Sequence, residues 1–224
     1  MTETTETTET TQANNRLVLM LITGIPVTMF LAATWLWYYV EEGNLDLVSS
    51  LGTANQGALV QPPRQIDEIG LFDDLGVTQK YADLEPRWTL AIPEAGADCA
   101  AACEHLLYLT RQIHVAMGKD FNRIRRAYLS ETPMSGAGLA LDSLSDDSAV
   151  PATFADLLDT EHRGTKYLQL APGGYDALFN EQRAAPDTWY LIDPSGWVMM
   201  SYNDSIHYKD VISDLKFLLK NSGV

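Results

Sequence analysis

The longest apolar run of the chain covers residues 17–40, and the nearest charged side chains are Arg16 before it and Glu41 after it. As a helix rising 1.5 Å per residue, this run would extend about 36 Å, which exceeds the roughly 30 Å hydrocarbon core of a bilayer. Aromatic side chains gather near its far end, as they do at the level of lipid headgroups: Trp35, Trp37, Tyr38 and Tyr39. The pattern predicts one transmembrane helix over residues 17–40.

The flanks of this run indicate its orientation. Residues 1–16 repeat a polar Thr-Glu-Thr unit with no apolar face, which predicts a disordered tail. A cleaved signal peptide is the competing interpretation, but the run is longer than the usual apolar core of about 7–15 residues, and no small-x-small cleavage site follows it. Arg16 precedes the run, whereas Glu41 and Glu42 follow it. This weak asymmetry places the tail on the cytoplasmic side and the rest of the chain on the outer, oxidising side.

After the apolar run, the pattern changes to shorter elements. Residues 41–83 are rich in turn residues and predict a connector with peripheral strands: one strand over residues 58–60 and a hairpin over residues 65–83. Trp88, Leu90 and Ile92 then alternate, which predicts a strand. Apolar residues at helical spacing follow and predict a helix: Leu106, Leu109, Ile113 and Met117.

The remaining pattern completes an α/β domain over residues 84–224. A second strand is predicted at 122–129, a mobile loop at 130–150, a helix at 151–161, a third strand at 166–171 and a short helix at 175–182. Two apolar strands joined at residues 193–196 and a last helix at 209–220 follow. Alternation of strands and helices gives parallel pairing and the hairpin gives antiparallel pairing, so the order predicts a mixed sheet with helices on both faces. This is the thioredoxin-like arrangement.

Composition limits the functions that this domain can have. The chain has 224 residues, is 46% hydrophobic and carries a formal net charge of −15. This charge argues against binding nucleic acid, because the phosphate backbone would repel the protein. Acidity here indicates solubility or a basic partner.

The two cysteines of the chain are the candidates for chemistry. Cys99 and Cys103 lie where the strand at Trp88 passes into the following helix. Residues four apart on a helix have Cα atoms roughly 6 Å apart, within the span of a disulfide, and two thiolates can also hold a soft metal ion. The helix start should lower the thiol pKa of Cys99, and the flanking Asp98 and Glu104 suggest an exposed pair. Two small buried cysteines without chemistry are the alternative.

The chain resembles the Sco family in three features: the Cys99/Cys103 pair after the first strand, the YLIDPSG hairpin and the single N-terminal span. The resemblance covers roughly residues 55–219. It implies a membrane-anchored thioredoxin fold and a role in assembling the copper centre of cytochrome c oxidase. In the family, two cysteines and a distal histidine bind copper. Here Ala185 occupies the position of that histidine, and the prolines beside the cysteines are absent, so the resemblance implies dithiol chemistry more directly than copper binding.

A substitute for the missing histidine would have to come from elsewhere in the chain. His207, between the hairpin and the last helix, is the candidate third metal ligand beside Cys99 and Cys103. His105 follows Cys103 by two residues, which turns it about 200° away on a helix. Met199 and Met200 are soft enough for copper(I), although one of two adjacent strand residues must face the core.

Three hypotheses of function follow from the resemblance. In the first, Cys99 and Cys103 carry out thiol–disulfide exchange on a client, either a cytochrome c oxidase subunit or another copper chaperone, with no cofactor required. In the second, the chain carries copper(I) to the oxidase. In the third, it is a non-enzymatic assembly factor whose disulfide is structural. Each implies a single-pass protein of the bacterial inner membrane with its folded domain in the periplasm.

Overall fold

The computed structural model describes residues 3–41 and 55–222, which fall in two compact units divided after residue 54. The described residues of the first unit form the helix α1 (Glu3–Glu41). Within it, Val18–Tyr39 has a mean hydropathy of 1.9 and is long and apolar enough to cross a membrane. Its bounds agree closely with the predicted span at residues 17–40.

Helix α1 differs from the prediction in its first residues. The sequence predicts a disordered tail over residues 1–16, whereas the helix begins at Glu3. Extending an existing helix adds one hydrogen bond per residue, while nucleation has to fix several residues for the first bond. A polar repeat that would not form a helix alone can therefore continue one that the apolar segment has already nucleated.

The second unit is an α/β domain. Its strands are β1 (Ala58–Gln65), β2 (Leu71–Phe72), β3 (Thr78–Gln79), β4 (Trp88–Glu94), β5 (Asp98–Ala100), β6 (Ile124–Ser130), β7 (Gly138–Ala140), β8 (Thr165–Leu170), β9 (Trp189–Ile192) and β10 (Trp197–Tyr202). Its α-helices are α2 (Ala101–Ala116), α3 (Phe154–Thr160), α4 (Gly174–Phe179) and α5 (Tyr208–Asn221). Short 3-10 turns join several of them.

Eight of these strands form one mixed sheet, in the order β1-β10-β9-β4-β6-β8-β2-β3. The central strands β4, β6 and β8 are parallel, and β9 pairs antiparallel with β4. Both faces of the sheet are covered, because Leu90 and Ile92 pack in one apolar cluster and Ala91 in the other. Residues of α2, α3 and α5 belong to the first cluster and residues of α4 to the second. The predicted mixed sheet with helices on both faces is confirmed.

The edges of the sheet contain the segment predicted as a connector. Residues 42–54 of that segment lie outside the described residues. Strand β1, predicted over residues 58–60, extends to Gln65 and pairs with β10. Strands β2 and β3 form the predicted peripheral hairpin, which pairs with the far edge through β8.

Two arginines of β6 are buried. Arg125 and Arg126 are 8% and 4% exposed. Strand β6 has a partner on each side and a covered surface on both faces, so it has no solvated face. Burying a cation is unfavourable unless hydrogen bonds or a counter-ion compensate for the lost hydration.

Candidate functional site

Cys99 and Cys103 are joined by a disulfide, with their Cα atoms 5.3 Å apart. Cys99 lies in the middle of the short strand β5, and Cys103 lies in the first turn of α2. The pair thus links a strand to the start of a helix, at the end of the sheet where β4 finishes. The sequence prediction placed both residues on one helix face, whereas Cys99 lies in a strand. The predicted Cα separation of roughly 6 Å is nevertheless close to the observed one.

Both sulfurs are enclosed, contrary to the prediction of an exposed pair. Cys99 is 0% exposed and Cys103 is 3% exposed. Glu104, taken as a sign of exposure, is itself buried because its carboxylate accepts hydrogen bonds from the backbone N–H and the hydroxyl of Ser145. A buried carboxylate with two donors is stable where an unpaired one would not be.

A short second sheet covers Cys99. Strand β5 pairs in parallel with β7, and Cys99 lies opposite Leu139. Leu139 and Leu141 pack against the apolar cluster that contains the disulfide. The sequence predicted a mobile loop over residues 130–150, so this cover was missed.

A cavity of about 350 Å³ opens on the side of Cys103, and Cys99 does not line it. One wall is held by a chain of hydrogen bonds. The Tyr175 hydroxyl donates to Gln182 Oε1 at 2.7 Å, and Gln182 Nε2 donates to the carbonyl of Pro93 at 2.8 Å. These bonds attach the first turn of α4 and the 3-10 turn after this helix to the end of β4, beside the disulfide.

The charges of this cavity are modest. Burial, with a contribution from the nearby Glu94 carboxylate, raises the pKa of Tyr175 to about 12, so its phenol is neutral at ordinary pH. Arg183 lies 5.5 Å above the Tyr175 ring and donates to Asp176, a hydrogen bond that raises the pKa of the guanidinium. The cavity therefore presents mainly neutral polar and small apolar groups to an incoming chain.

The loop with Ala185 lies beside the same cavity, because Pro186 is one of its lining residues. Asp187 accepts a hydrogen bond from the backbone N–H of Asp204 at 3.0 Å, and the Asp204 carboxylate lies 3.3 Å from His105 Nε2. These contacts connect the Ala185 loop, the loop after β10 and the first part of α2.

His207, the candidate third metal ligand, caps the last helix. Its Nδ1 accepts the backbone N–H of Lys209 at 3.3 Å, and it is the N-cap of α5 with an exposed side chain. Within residues 3–41 and 55–222, no three side chains from His, Cys, Asp and Glu are grouped to hold a metal ion. His207 is thus not brought into a ligand set with Cys99 and Cys103, and Met200 is buried in the core.

Comparisons with known proteins agree with this architecture. The family described as "transmembrane-like, thioredoxin-like, C-terminal domain" matches residues 88–222. A search of curated proteins gave no significant match.

The chain is also similar to solved structures of Sco proteins. Copper-bound yeast Sco1 is 12% identical, with a TM-score of 0.44 over 76% of this chain and 96% of that one. Copper-bound ScoI of Bradyrhizobium japonicum is 20% identical, with a TM-score of 0.43 over 69% and 96%. BsSco, described with a disulfide switch and as a member of the Sco family of cytochrome c oxidase assembly proteins, is 15% identical, with a TM-score of 0.46 over 77% and 99%.

The matched segment begins at the first residue of β4 and ends at the last described residue of the domain, so it contains the disulfide, its cover and the cavity beside Cys103. It covers more than half of the chain. The thioredoxin-like fold predicted from the order of elements is confirmed by this match. The chain belongs to the family of transmembrane-like, thioredoxin-like C-terminal domains.

Proposed function

We propose that this chain is a membrane-anchored thiol–disulfide protein of cytochrome c oxidase biogenesis, in which Cys99 and Cys103 exchange disulfides with a copper-site client. The observation that carries the proposal is the disulfide at the strand-to-helix junction, with Cys103 but not Cys99 among the residues that line a cavity. The context of oxidase assembly comes from the resemblance to Sco proteins. The client would be an oxidase subunit or another copper chaperone.

The surroundings of the two cysteines determine which sulfur an incoming thiolate attacks first. Cys99 is covered by β7, whereas Cys103 lines the cavity, so an incoming thiolate reaches Cys103 first. Its attack on Cys103 Sγ forms a client–Cys103 bond, breaks the Cys99–Cys103 bond and leaves the electron pair on Cys99 Sγ. A second client thiolate then attacks the bound client sulfur and releases Cys103 as a thiolate. The client loses two electrons, the protein pair gains them, and the reverse sequence reduces a client disulfide.

Copper(I) transport is the second candidate, with copper as cargo. The reduced pair can offer two thiolates, which suit a soft d¹⁰ ion in near-linear coordination. Copper(II), which favours nitrogen and oxygen ligands, would need a third group, and the described residues provide none grouped with the cysteines. We expect the full chain in detergent to bind copper(I) at most, with loss of free thiols, and to form no stable copper(II) complex. A stable copper(II) complex that disappears in His207→Ala would favour copper delivery instead.

Glutathione disulfide tests the proposed chemistry directly. The reduced Cys99→Ala variant should form a mixed disulfide at Cys103 at least about tenfold faster than the reduced Cys103→Ala variant forms one at Cys99, because only Cys103 borders the cavity. Mass spectrometry against time measures both rates. Equal rates would contradict the proposal that Cys103 is attacked before Cys99. Failure of both variants to react would indicate that the disulfide is purely structural.

A test in cells addresses the biological context. In cells lacking the gene, wild-type protein should restore oxidase activity and the copper content of the oxidase, while the Cys99→Ala/Cys103→Ala variant should not. Full restoration by the variant would refute a role for the thiols.

The proposed location is the bacterial inner membrane, with the folded domain in the periplasm. A membrane-impermeant thiol reagent should label the reduced protein once the outer membrane has been opened. Labelling only after lysis of the inner membrane would reverse this topology.

A further inference from the structure

A second cavity of the α/β domain lies at the opposite end of the sheet from the disulfide. Its volume is about 530 Å³, and its lining includes Arg87, Ile124 and Gly164, which lie at or just before the first residues of β4, β6 and β8. These strands are parallel, so their first residues meet at one edge. The disulfide follows the last residues of β4, and the proposed exchange reaction does not involve this cavity.

Four basic side chains line this cavity, together with two acidic ones, Asp83 and Glu85. The basic residues are Arg87, Arg125, Arg163 and Lys166. The whole chain has the reverse balance, with 15 basic and 30 acidic residues. A local excess of positive charge in an acidic protein favours an anionic ligand, because a cavity with walls of low dielectric concentrates the field.

Most of this positive charge is not neutralised by carboxylates. Arg87 pairs with Glu85. Among the described residues, Arg125, Arg163 and Lys166 have no ion pair with a carboxylate. These three cations can therefore accept an anion without first losing a carboxylate partner.

Arg125 is the most informative of the three. It is 8% exposed, its Nε donates to Thr89 Oγ1 at 3.2 Å, and its Nη2 donates to the carbonyl of Glu85 at 2.9 Å. Both acceptors are neutral, and the Tyr81 ring 5.5 Å away offsets the charge only partly. Burying a charge without a counter-ion is unfavourable, and an anion in the cavity would relieve this cost.

A second buried guanidinium, that of Arg126, is hydrogen-bonded to the lining residue Arg163. Arg126 is 4% exposed, and its Nη2 donates to the carbonyl of Arg163 at 3.1 Å. Its Nη1 is buried and has no hydrogen-bond partner among the described residues. Burial lowers the pKa of Arg126 to about 10, with a smaller contribution from Arg111, and the group remains charged at neutral pH.

We propose that this cavity binds an oxyanion of the phosphate class, either free or as the headgroup of a phospholipid. Guanidinium and ammonium groups arranged around one space match an oxyanion with several acceptor oxygens. Leu84, Phe121 and Ile124 add apolar surface to the lining, which suits the carbon part of a phosphate ester. The site is separate from the disulfide, and its occupation does not depend on the proposed redox function.

The test uses the full chain in an uncharged detergent at low ionic strength. Inorganic phosphate and a short-chain phosphatidylglycerol are titrated separately, with short-chain phosphatidylcholine as a zwitterionic control, and binding is followed by calorimetry and by ³¹P line broadening. Binding of inorganic phosphate would show that a free oxyanion is sufficient to occupy the cavity. Binding of phosphatidylglycerol alone identifies a lipid headgroup.

Variants locate the binding site. Arg163→Gln/Lys166→Gln removes two exposed cations of the cavity and should weaken binding at least about tenfold. Lys216→Gln, an exposed lysine of α5 outside the cavity, should leave the affinity unchanged. Absence of binding by either phosphate ligand, or equal affinity of the double variant and the wild type, would overturn the proposal. Arg125→Gln is unsuitable as the only variant because its buried side chain also supports the fold.

Discussion

Reduction of the Cys99–Cys103 disulfide should destabilise the domain only slightly. In the chain-entropy model, a cross-link stabilises the fold by restricting the unfolded chain, and the stabilisation is smaller when the closed loop is shorter. The two cysteines are four apart in sequence, so the closed loop is very short. The model then gives a free-energy contribution of about 2 kcal/mol, near the lower end of what disulfides supply.

That value translates into a small shift of the melting temperature. The folded unit has about 170 residues, and for a domain of this size 1 kcal/mol shifts the midpoint by about 2–4 °C. Reduction should therefore lower the midpoint by about 4–8 °C. Both thiols remain in their apolar surroundings and fill the same space, so no cavity adds to this loss.

Thermal unfolding of the full chain in detergent, with and without a small dithiol, measures the shift by circular dichroism. The Cys99→Ala/Cys103→Ala variant in the same two buffers controls for effects of the reductant, and its own midpoint should not respond to it. Loss of the cooperative transition on reduction, or a fall greater than about 15 °C, would refute the argument. It would show that the fold depends on the bridge, as expected of a structural staple and not of a pair that cycles between two redox states.

Three further predictions concern other parts of the domain. In the reduced wild type, iodoacetamide should modify Cys103 before Cys99, which peptide mapping can show; the reverse order would mean that β7 does not protect Cys99. Asp214 accepts hydrogen bonds from the backbone N–H groups of Gln56 and Gly57 and from the Tyr202 hydroxyl. Asp214→Ala should therefore cost about 3–5 kcal/mol in denaturant unfolding, while the exposed Asp210→Ala changes stability little. Burial lowers the pKa of His162 to about 3, so the unfolded chain binds a proton that the folded one does not between about pH 3 and 6.5. The wild type should therefore lose about 2 kcal/mol of unfolding free energy between neutral pH and pH 5, and the His162→Leu variant should not show this loss. The same pH dependence in both proteins would contradict the burial argument.

The central strands and the main helices could be predicted because their residues carry a local period. Strand β4 alternates its side chains between two apolar clusters, and α2 repeats its apolar residues at helical spacing. Such patterns are visible in a single segment. The hairpin of β9 and β10 could be predicted equally well, since its turn residues lie between two apolar runs.

The environment of the cysteines was harder to predict because it depends on pairs distant in sequence. Strand β5 has three residues and pairs with β7, about 40 residues later, so neither shows a period. Glu104 is buried only because Ser145 supplies two donors. The sequence around His207 does not distinguish a helix cap from a metal ligand, since a neutral imidazole nitrogen can either accept a hydrogen bond or bind a metal.

The position of Ala185 relative to the disulfide follows from the sheet. Strand β9 runs antiparallel to β4, with Ala91 opposite Tyr190, so the loop before β9 meets the end of β4. Pro186 in that loop shares a cavity with Cys103. A histidine at residue 185 should therefore approach the sulfurs, and in the reduced protein it would supply the nitrogen ligand that copper(II) requires.

The Ala185→His variant tests this geometry. We expect its reduced form to bind one copper(II) ion, with a thiolate-to-copper absorption band that the wild type lacks. Ala184→His is the matched control, because it adds the same side chain one residue earlier. Equal copper(II) binding by both variants would show that any added histidine suffices, and no binding by Ala185→His would place the loop too far from Cys103. Binding by Ala185→His alone would mean that the wild-type chain lacks only one ligand of a copper(II) site. In that case the chemistry available to the wild type would be that of its two thiols.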